Sequence, residues 1–92
     1  MMRSQPQKLL KKHQSLVQTD NVKVCSHVQR EQDDWIINTL MIENIDVPFK
    51  YKRKTPYRSL AGQKVNLTYY PTTESVAGFD VEVMNIVRIR IS

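Results

Sequence analysis

Residues 64–92 read KVNLTYYPTTESVAGFDVEVMNIVRIRIS, and apolar and polar side chains alternate here more regularly than anywhere else in the chain. The alternation recurs in runs at 65–69, 79–83 and 87–91. Successive side chains of a strand point to opposite faces of a sheet, so a period of two indicates half-buried strands. This stretch therefore predicts a small β domain, in which 71–75 connects one strand to the next. Residues 79–91 are either two strands that meet at a bend near Asn85 or one long coiled strand.

Further strands are predicted upstream of this stretch. Residues 45–52 alternate cleanly, and Pro48 places that strand at a sheet edge or at a bulge because proline has no N–H group to donate. Residues 35–41 fit a helix or a strand, and their two β-branched isoleucines favour a strand. Residues 53–61 are predicted as a basic loop with a turn at Thr55 and Pro56.

The fold class follows from the number and spacing of these strands. About five short strands fit into residues 34–92, which hold only two glycines and no long helical pattern. Short strands at close spacing are typical of a small barrel or sandwich, and the number of strands fits a barrel. We predict an all-β domain, a five-stranded SH3-like or OB-like barrel with an N-terminal helical or disordered extension.

The composition changes at Asp34, which is the predicted domain boundary. The barrel domain is assigned to 34–92 and the extension to 1–33. The extension is divided into a short helix, a short edge strand and a polar linker, at 5–18, 22–28 and 29–34.

The composition also indicates the cellular compartment of the protein. Cys25 is the one cysteine in 92 residues, whereas small secreted domains usually carry several that form disulfides. The N-terminus shows no apolar core of a secretory signal, and no stretch approaches the roughly 20 apolar residues of a membrane span. We therefore expect a cytoplasmic protein with no membrane partner.

Motifs for catalysis or metal binding are missing from the sequence. His13, Cys25 and His27 supply at most three soft ligands, whereas structural zinc requires about four at recognisable spacing. Two glycines, Gly62 and Gly78, are too few for a Gly-rich loop that cradles phosphates. A domain this small also has little room for a deep, dry pocket. We expect no enzyme activity, no metal, no cofactor and no small-molecule substrate.

The positive charge is unevenly distributed. Fourteen Lys and Arg against nine Asp and Glu give a net charge of +5, and residues 47–73 hold six basic residues and no acid. Tyrosines are interleaved with these basic residues, and the phase of residues 65–69 places Tyr70 on the outer face. Single-stranded nucleic acid is typically held by a positive groove with aromatic faces on which bases stack, and OB-like barrels use this arrangement often.

The predicted function is therefore a small basic β module that binds nucleic acid, RNA or single-stranded DNA, without sequence preference. Arg88 and Arg90 share a strand face and extend the basic patch. The predicted binding residues lie on one strand and the basic loop that follows it, with two positions further along: Lys50, Lys52, Arg53, Lys54, Tyr57, Arg58, Lys64 and Tyr70.

The alternative is a non-enzymatic interaction module or accessory subunit that binds an acidic protein partner through an edge strand. Trp35 is expected to be a lid over the open end of the barrel; if exposed, it would anchor a partner instead. The two hypotheses predict different dependences of the binding affinity on salt concentration. Six phosphate contacts predict a log–log slope of affinity against salt of about −4 to −5, whereas a hydrophobic interface predicts little dependence.

Overall fold

The computed structural model describes residues 16–92, and these residues form five strands and no helix. The strands close into a barrel in the order β1-β2-β3-β5-β4. This confirms the prediction of an all-β, five-stranded barrel. The predicted helix at 5–18 falls almost entirely outside the described residues. The strands are β1 Val17–Gln32, β2 Trp35–Ile42, β3 Phe49–Arg53, β4 Lys64–Val76 and β5 Phe79–Ile91.

The connectivity decides between the two barrel types that the sequence left open. Neighbouring strands pair antiparallel except β3 and β5, which run parallel and close the sheet. β4 returns to lie beside β1, so that β4-β1-β2-β3 is a Greek key. A five-stranded Greek-key barrel is the OB arrangement.

Two tight turns fix the two hairpins. Asp33 and Asp34 join β1 to β2, and Ala77 and Gly78 join β4 to β5, all with φ between 51° and 84°. Two central residues with positive φ match the twist of the flanking strands, as in a type I′ turn. Gly78 therefore belongs to a hairpin turn. β5 continues through Asn85 as one strand, which is the second of the two arrangements that the sequence allowed for residues 79–91.

The boundary predicted at Asp34 differs from the structure. Residues 22–28 and 29–32 belong to one 16-residue strand, which pairs with β4 through its first half and with β2 through its second half. A polar sequence forms this strand because both neighbours satisfy its backbone while its outer side chains remain in water. The barrel therefore begins at β1, and the predicted edge strand and polar linker are part of its wall.

Two further strand boundaries differ from the sequence prediction. β3 begins only at Phe49, because Pro48 has no N–H; its carbonyl instead accepts a hydrogen bond from the Met84 N–H at 2.9 Å. Residues 71–75, predicted as a connection, are the outer half of β4. Pro71 is compatible with this strand because the described β1–β4 ladder ends at Tyr69.

Apolar side chains form the core of the barrel. Phe49 is fully buried, and its ring meets that of Tyr69 edge to face at a centroid distance of 4.8 Å. Leu60, from the loop between β3 and β4, joins the same core. The other buried members come from all five strands and include Val24, Leu40, Ile42, Tyr51, Val65, Leu67 and Ile86.

A histidine fastens this loop to the barrel. Nδ1 of His27 accepts a hydrogen bond from the Leu60 N–H at 2.9 Å. In a neutral imidazole the other nitrogen then carries the proton, so Nε2 donates to Oδ1 of Asn38 at 2.7 Å. Asn38 is almost completely buried, and its amide also donates to the Ile36 carbonyl at 3.2 Å. The His27 imidazole thus provides a hydrogen-bond partner for a backbone N–H of the β3–β4 loop and for a buried side-chain oxygen of β2.

We expect His27→Ala to lower the free energy of unfolding by about 2–3 kcal/mol, since it leaves the Leu60 N–H and Asn38 Oδ1 without partners. Urea denaturation followed by circular dichroism measures the change. His27→Asn is the control, because its side-chain oxygen can still accept from Leu60, and it should recover part of the loss. A His27→Ala protein within about 0.5 kcal/mol of wild type would contradict this role.

Candidate nucleic-acid interface

The outer face of β1, β2 and β3 combines basic, apolar and aromatic side chains. Phe49 and Tyr51 point into the core, so Lys50 and Lys52 point outward. The strand register places these lysines across from outward residues of β2 and β1. The cross-strand rows are Val28–Thr39–Lys50 and Arg30–Ile37–Lys52, followed by Gln32–Trp35 with Lys54 just beyond the end of β3.

Trp35 lies on this outer face and is 37% exposed. The expectation that it closes the barrel end is therefore wrong. The inward positions of β2 are the even ones, including Leu40 and Ile42, and Trp35 is out of phase with them. The ammonium of Lys54 lies 4.2 Å from the centroid of the indole, a cation–π contact that covers one side of the ring.

A cleft of about 580 Å³ opens over these residues. Trp35 and Ile37 line one side, Lys50 and Lys52 lie between, and Asn85 of β5 lines the other side. The cleft also reaches Asp33 in the β1–β2 turn and Glu74 in β4, so it runs between the two hairpins. Tyr70, half-buried, is paired with Asn85 in the β4–β5 register and stands at its margin.

The β4–β5 hairpin extends the wall of this cleft beyond the barrel. Val76 pairs with Phe79 and Glu74 pairs with Val81, so these four residues share one face of the hairpin. Phe79 is 73% exposed at the tip. Sequence reasoning placed Phe79 in a half-buried strand and missed it as a surface aromatic. The feature of the sequence that could have indicated this exposure is the position of Phe79 directly after Gly78, because a residue next to a hairpin turn lies at the tip of the hairpin, beyond the barrel.

An ion pair crosses the cleft. Nζ of Lys50 lies 2.9 Å from Oε1 of Glu74, and both side chains remain partly exposed to solvent. It is the one ion pair that forms within residues 16–92. A carboxylate therefore occupies the position at which this lysine would meet another anion.

Arg53 and Tyr57 do not line this cleft. The guanidinium of Arg53 stands 5.5 Å from the Tyr51 ring centroid and 5.8 Å from that of Tyr57. Burial raises the pKa of the Tyr51 phenol, and the positive charge of Arg53 offsets part of this rise. The Tyr57 N–H donates to Oε1 of Gln29 at 3.1 Å, and the Gln29 amide donates to the Tyr57 carbonyl.

The remaining predicted residues are more scattered. Arg58 is exposed in the same loop, and Lys64 starts β4 opposite Lys23 of β1. Arg88 and Arg90 are exposed on β5. The structure thus brings together Lys50, Lys52 and Lys54, with Tyr70 at the margin; it does not bring Arg53, Tyr57, Arg58 or Lys64 to the same cleft. Arg30, Trp35 and Phe79 join the surface without having been predicted as nucleic-acid contacts.

The fold and this surface define a small OB-type barrel with a basic and aromatic outer face. No protein family, no curated protein and no solved structure matches the chain. In the part of the chain that the structure describes, no three His, Cys, Asp or Glu side chains are grouped so as to hold a metal ion. Among residues 16–92 there is also no helix long and apolar enough to cross a membrane.

Proposed function

We propose that this barrel binds single-stranded nucleic acid along the cleft on the outer face of β1, β2 and β3. The observation that carries the proposal is the row of three lysines, Lys50, Lys52 and Lys54, beside the exposed ring of Trp35. Cations that follow a sugar–phosphate backbone, with an aromatic face for the bases, are the two components of single-strand binding sites.

Each side chain has a distinct role in this proposal. The three lysines and Arg30 contact phosphates: the strand register places Lys50, Lys52 and Arg30 on one face, and Lys54 lies against Trp35 of the same face. Trp35 stacks on a base, and the ammonium of Lys54 moves from the indole to a phosphate as the base arrives. Phe79, at the other end of the same cleft wall, offers a second ring.

These contacts favour a single strand and carry little sequence information. Bases in a duplex are stacked on one another, so only unpaired bases can reach the rings of Trp35 and Phe79. Phosphates and the flat faces of bases are common to every sequence. The expected ligand is RNA or single-stranded DNA, bound without sequence preference.

Fluorescence-anisotropy titration tests the proposal with labelled single-stranded RNA, single-stranded DNA and duplex DNA at about 50 and 200 mM salt. Four phosphate contacts on a single strand predict a log–log slope near −3, which corresponds to a loss of about 50-fold between the two conditions. We expect both single strands to bind more tightly than the duplex. Absence of single-strand binding at about 50 mM, where screening is weaker, would refute the proposal.

Glu74→Gln should raise the affinity for single strands about two- to fivefold, because it frees Lys50 and removes a negative charge from the cleft. Glu82→Gln is the matched control: it removes one charge from the same hairpin at an exposed site that pairs with Thr73, outside the cleft. Parallel anisotropy titrations compare the two variants. An equal gain in both would show that only net charge matters.

A further inference from the structure

A second groove lies where the barrel closes. β3 and β5 pair only through Phe49 with Met84 and Lys50 with Asn85, and no further ladder pair joins them. Beyond this point β3 is paired with β2 on its other side, and β5 is paired with β4 on its other side. The two strand edges that face each other across the gap therefore have no ladder partner within residues 16–92.

The chemistry of this groove differs from that of the cleft. It has a volume of about 330 Å³ and is lined by side chains of only two strands. Lys52, Arg53 and Arg88 supply positive charge, and no carboxylate lines the groove. Val87, 54% exposed, and Ile89 add apolar surface on β5.

We propose that this groove binds an extended acidic segment of a partner protein, which adds as a strand between β3 and β5. Unpaired strand edges are templates for another backbone, and main-chain hydrogen bonds supply much of the affinity in such complexes. Acidic side chains of the segment meet Arg53 and Arg88, and apolar side chains between them contact Val87. The partner surface adjoins the proposed nucleic-acid cleft, and Tyr51 and Lys52 line both.

Two other occupants fit less well. The alternating N–H and C=O groups of a strand edge are complementary to a polypeptide backbone and not to a sugar–phosphate chain. The chain's own residues 1–15 contain four Lys and Arg and no acid, so their charge has the same sign as the groove. An acidic segment of another protein is complementary both to the unpaired backbone groups of the strand edges and to the positive charge of the groove.

Titration of the isotope-labelled full chain with a short peptide of alternating glutamate and valine, followed by amide chemical shifts, tests this inference. We expect shifts concentrated at 51–53 and 86–89. Arg53→Glu with Arg88→Glu should weaken binding at least about tenfold through charge repulsion, and Arg88→Glu alone, at an exposed site, should weaken it in the same direction. Trp35→Ala should leave peptide binding unchanged.

Backbone pairing is tested by the same peptide with N-methyl groups at alternate residues, which removes donors without changing charge. We expect this peptide, and one of alternating lysine and valine, to bind far more weakly. Equal binding of the N-methylated peptide, shifts that centre on Trp35, or no shifts at millimolar peptide would each overturn the inference.

Discussion

Phe49→Ala is expected to lower the free energy of unfolding by about 3–5 kcal/mol. A small domain has only about 5–15 kcal/mol of stability in total, so this single change removes a large share of it. Phe49 is fully buried, packs edge to face on Tyr69 of β4, and pairs with Leu40 of β2 and with Met84 of β5. The loss is large because Phe49 lies at the strand pair that closes the barrel.

Equilibrium urea denaturation, followed by circular dichroism, measures this loss. Val87→Ala is the control: it also removes apolar volume from the β3–β5 region, but from an exposed side chain, and should stay within about 0.5 kcal/mol of wild type. Phe49→Leu should fall between the two. A loss below about 1 kcal/mol for Phe49→Ala would contradict the position of this ring at the centre of the core.

The triple variant Lys50→Ala, Lys52→Ala, Lys54→Ala should reduce single-strand affinity about 100-fold at about 50 mM salt and make the log–log salt slope shallower by about 2. Each lysine–phosphate contact that is lost lowers the number of counterions that the nucleic acid releases on binding. All three side chains project from the outer face or from the loop just after β3, so the fold should tolerate their removal.

A control variant with the same loss of charge distinguishes binding at a defined site from general electrostatic attraction. Lys23→Ala, Lys64→Ala and Arg90→Ala also remove three positive charges, but from exposed positions that do not line the cleft. This variant should bind within about threefold of wild type at the same salt. If the two triple variants lose affinity equally, the interaction depends on net charge and has no defined site.

Local alternation was sufficient to predict the fold class and the orientation of several residues. The period of two in residues 64–92 predicted the β domain, and the same alternation in residues 45–52 agrees with the burial of Phe49 and Tyr51 in the core. Because neighbours on a strand face opposite ways, the same phase directs Lys50 and Lys52 outward. These predictions held because each depends on a few consecutive residues.

The composition of the cleft depends on pairing between distant strands, which one strand's sequence does not contain. Trp35 meets Lys54 only because β2 and β3 adopt one register, and Glu74 reaches Lys50 only because the long hairpin extends over the barrel. The polar half of β1 was predicted as a linker because its hydrophobic signal is weak, although two neighbouring strands stabilise it.

The fluorescence of Trp35 tests the central claim most directly. It is the only tryptophan in the chain and lies in the proposed cleft, so its emission reports on this site alone. Titration with unlabelled oligothymidylate should quench the emission, and the quenching should saturate at the same concentrations as the anisotropy signal because a base stacks on the indole. Full binding by anisotropy with unchanged Trp35 emission would contradict the claim that nucleic acid lies across the outer face of β1, β2 and β3.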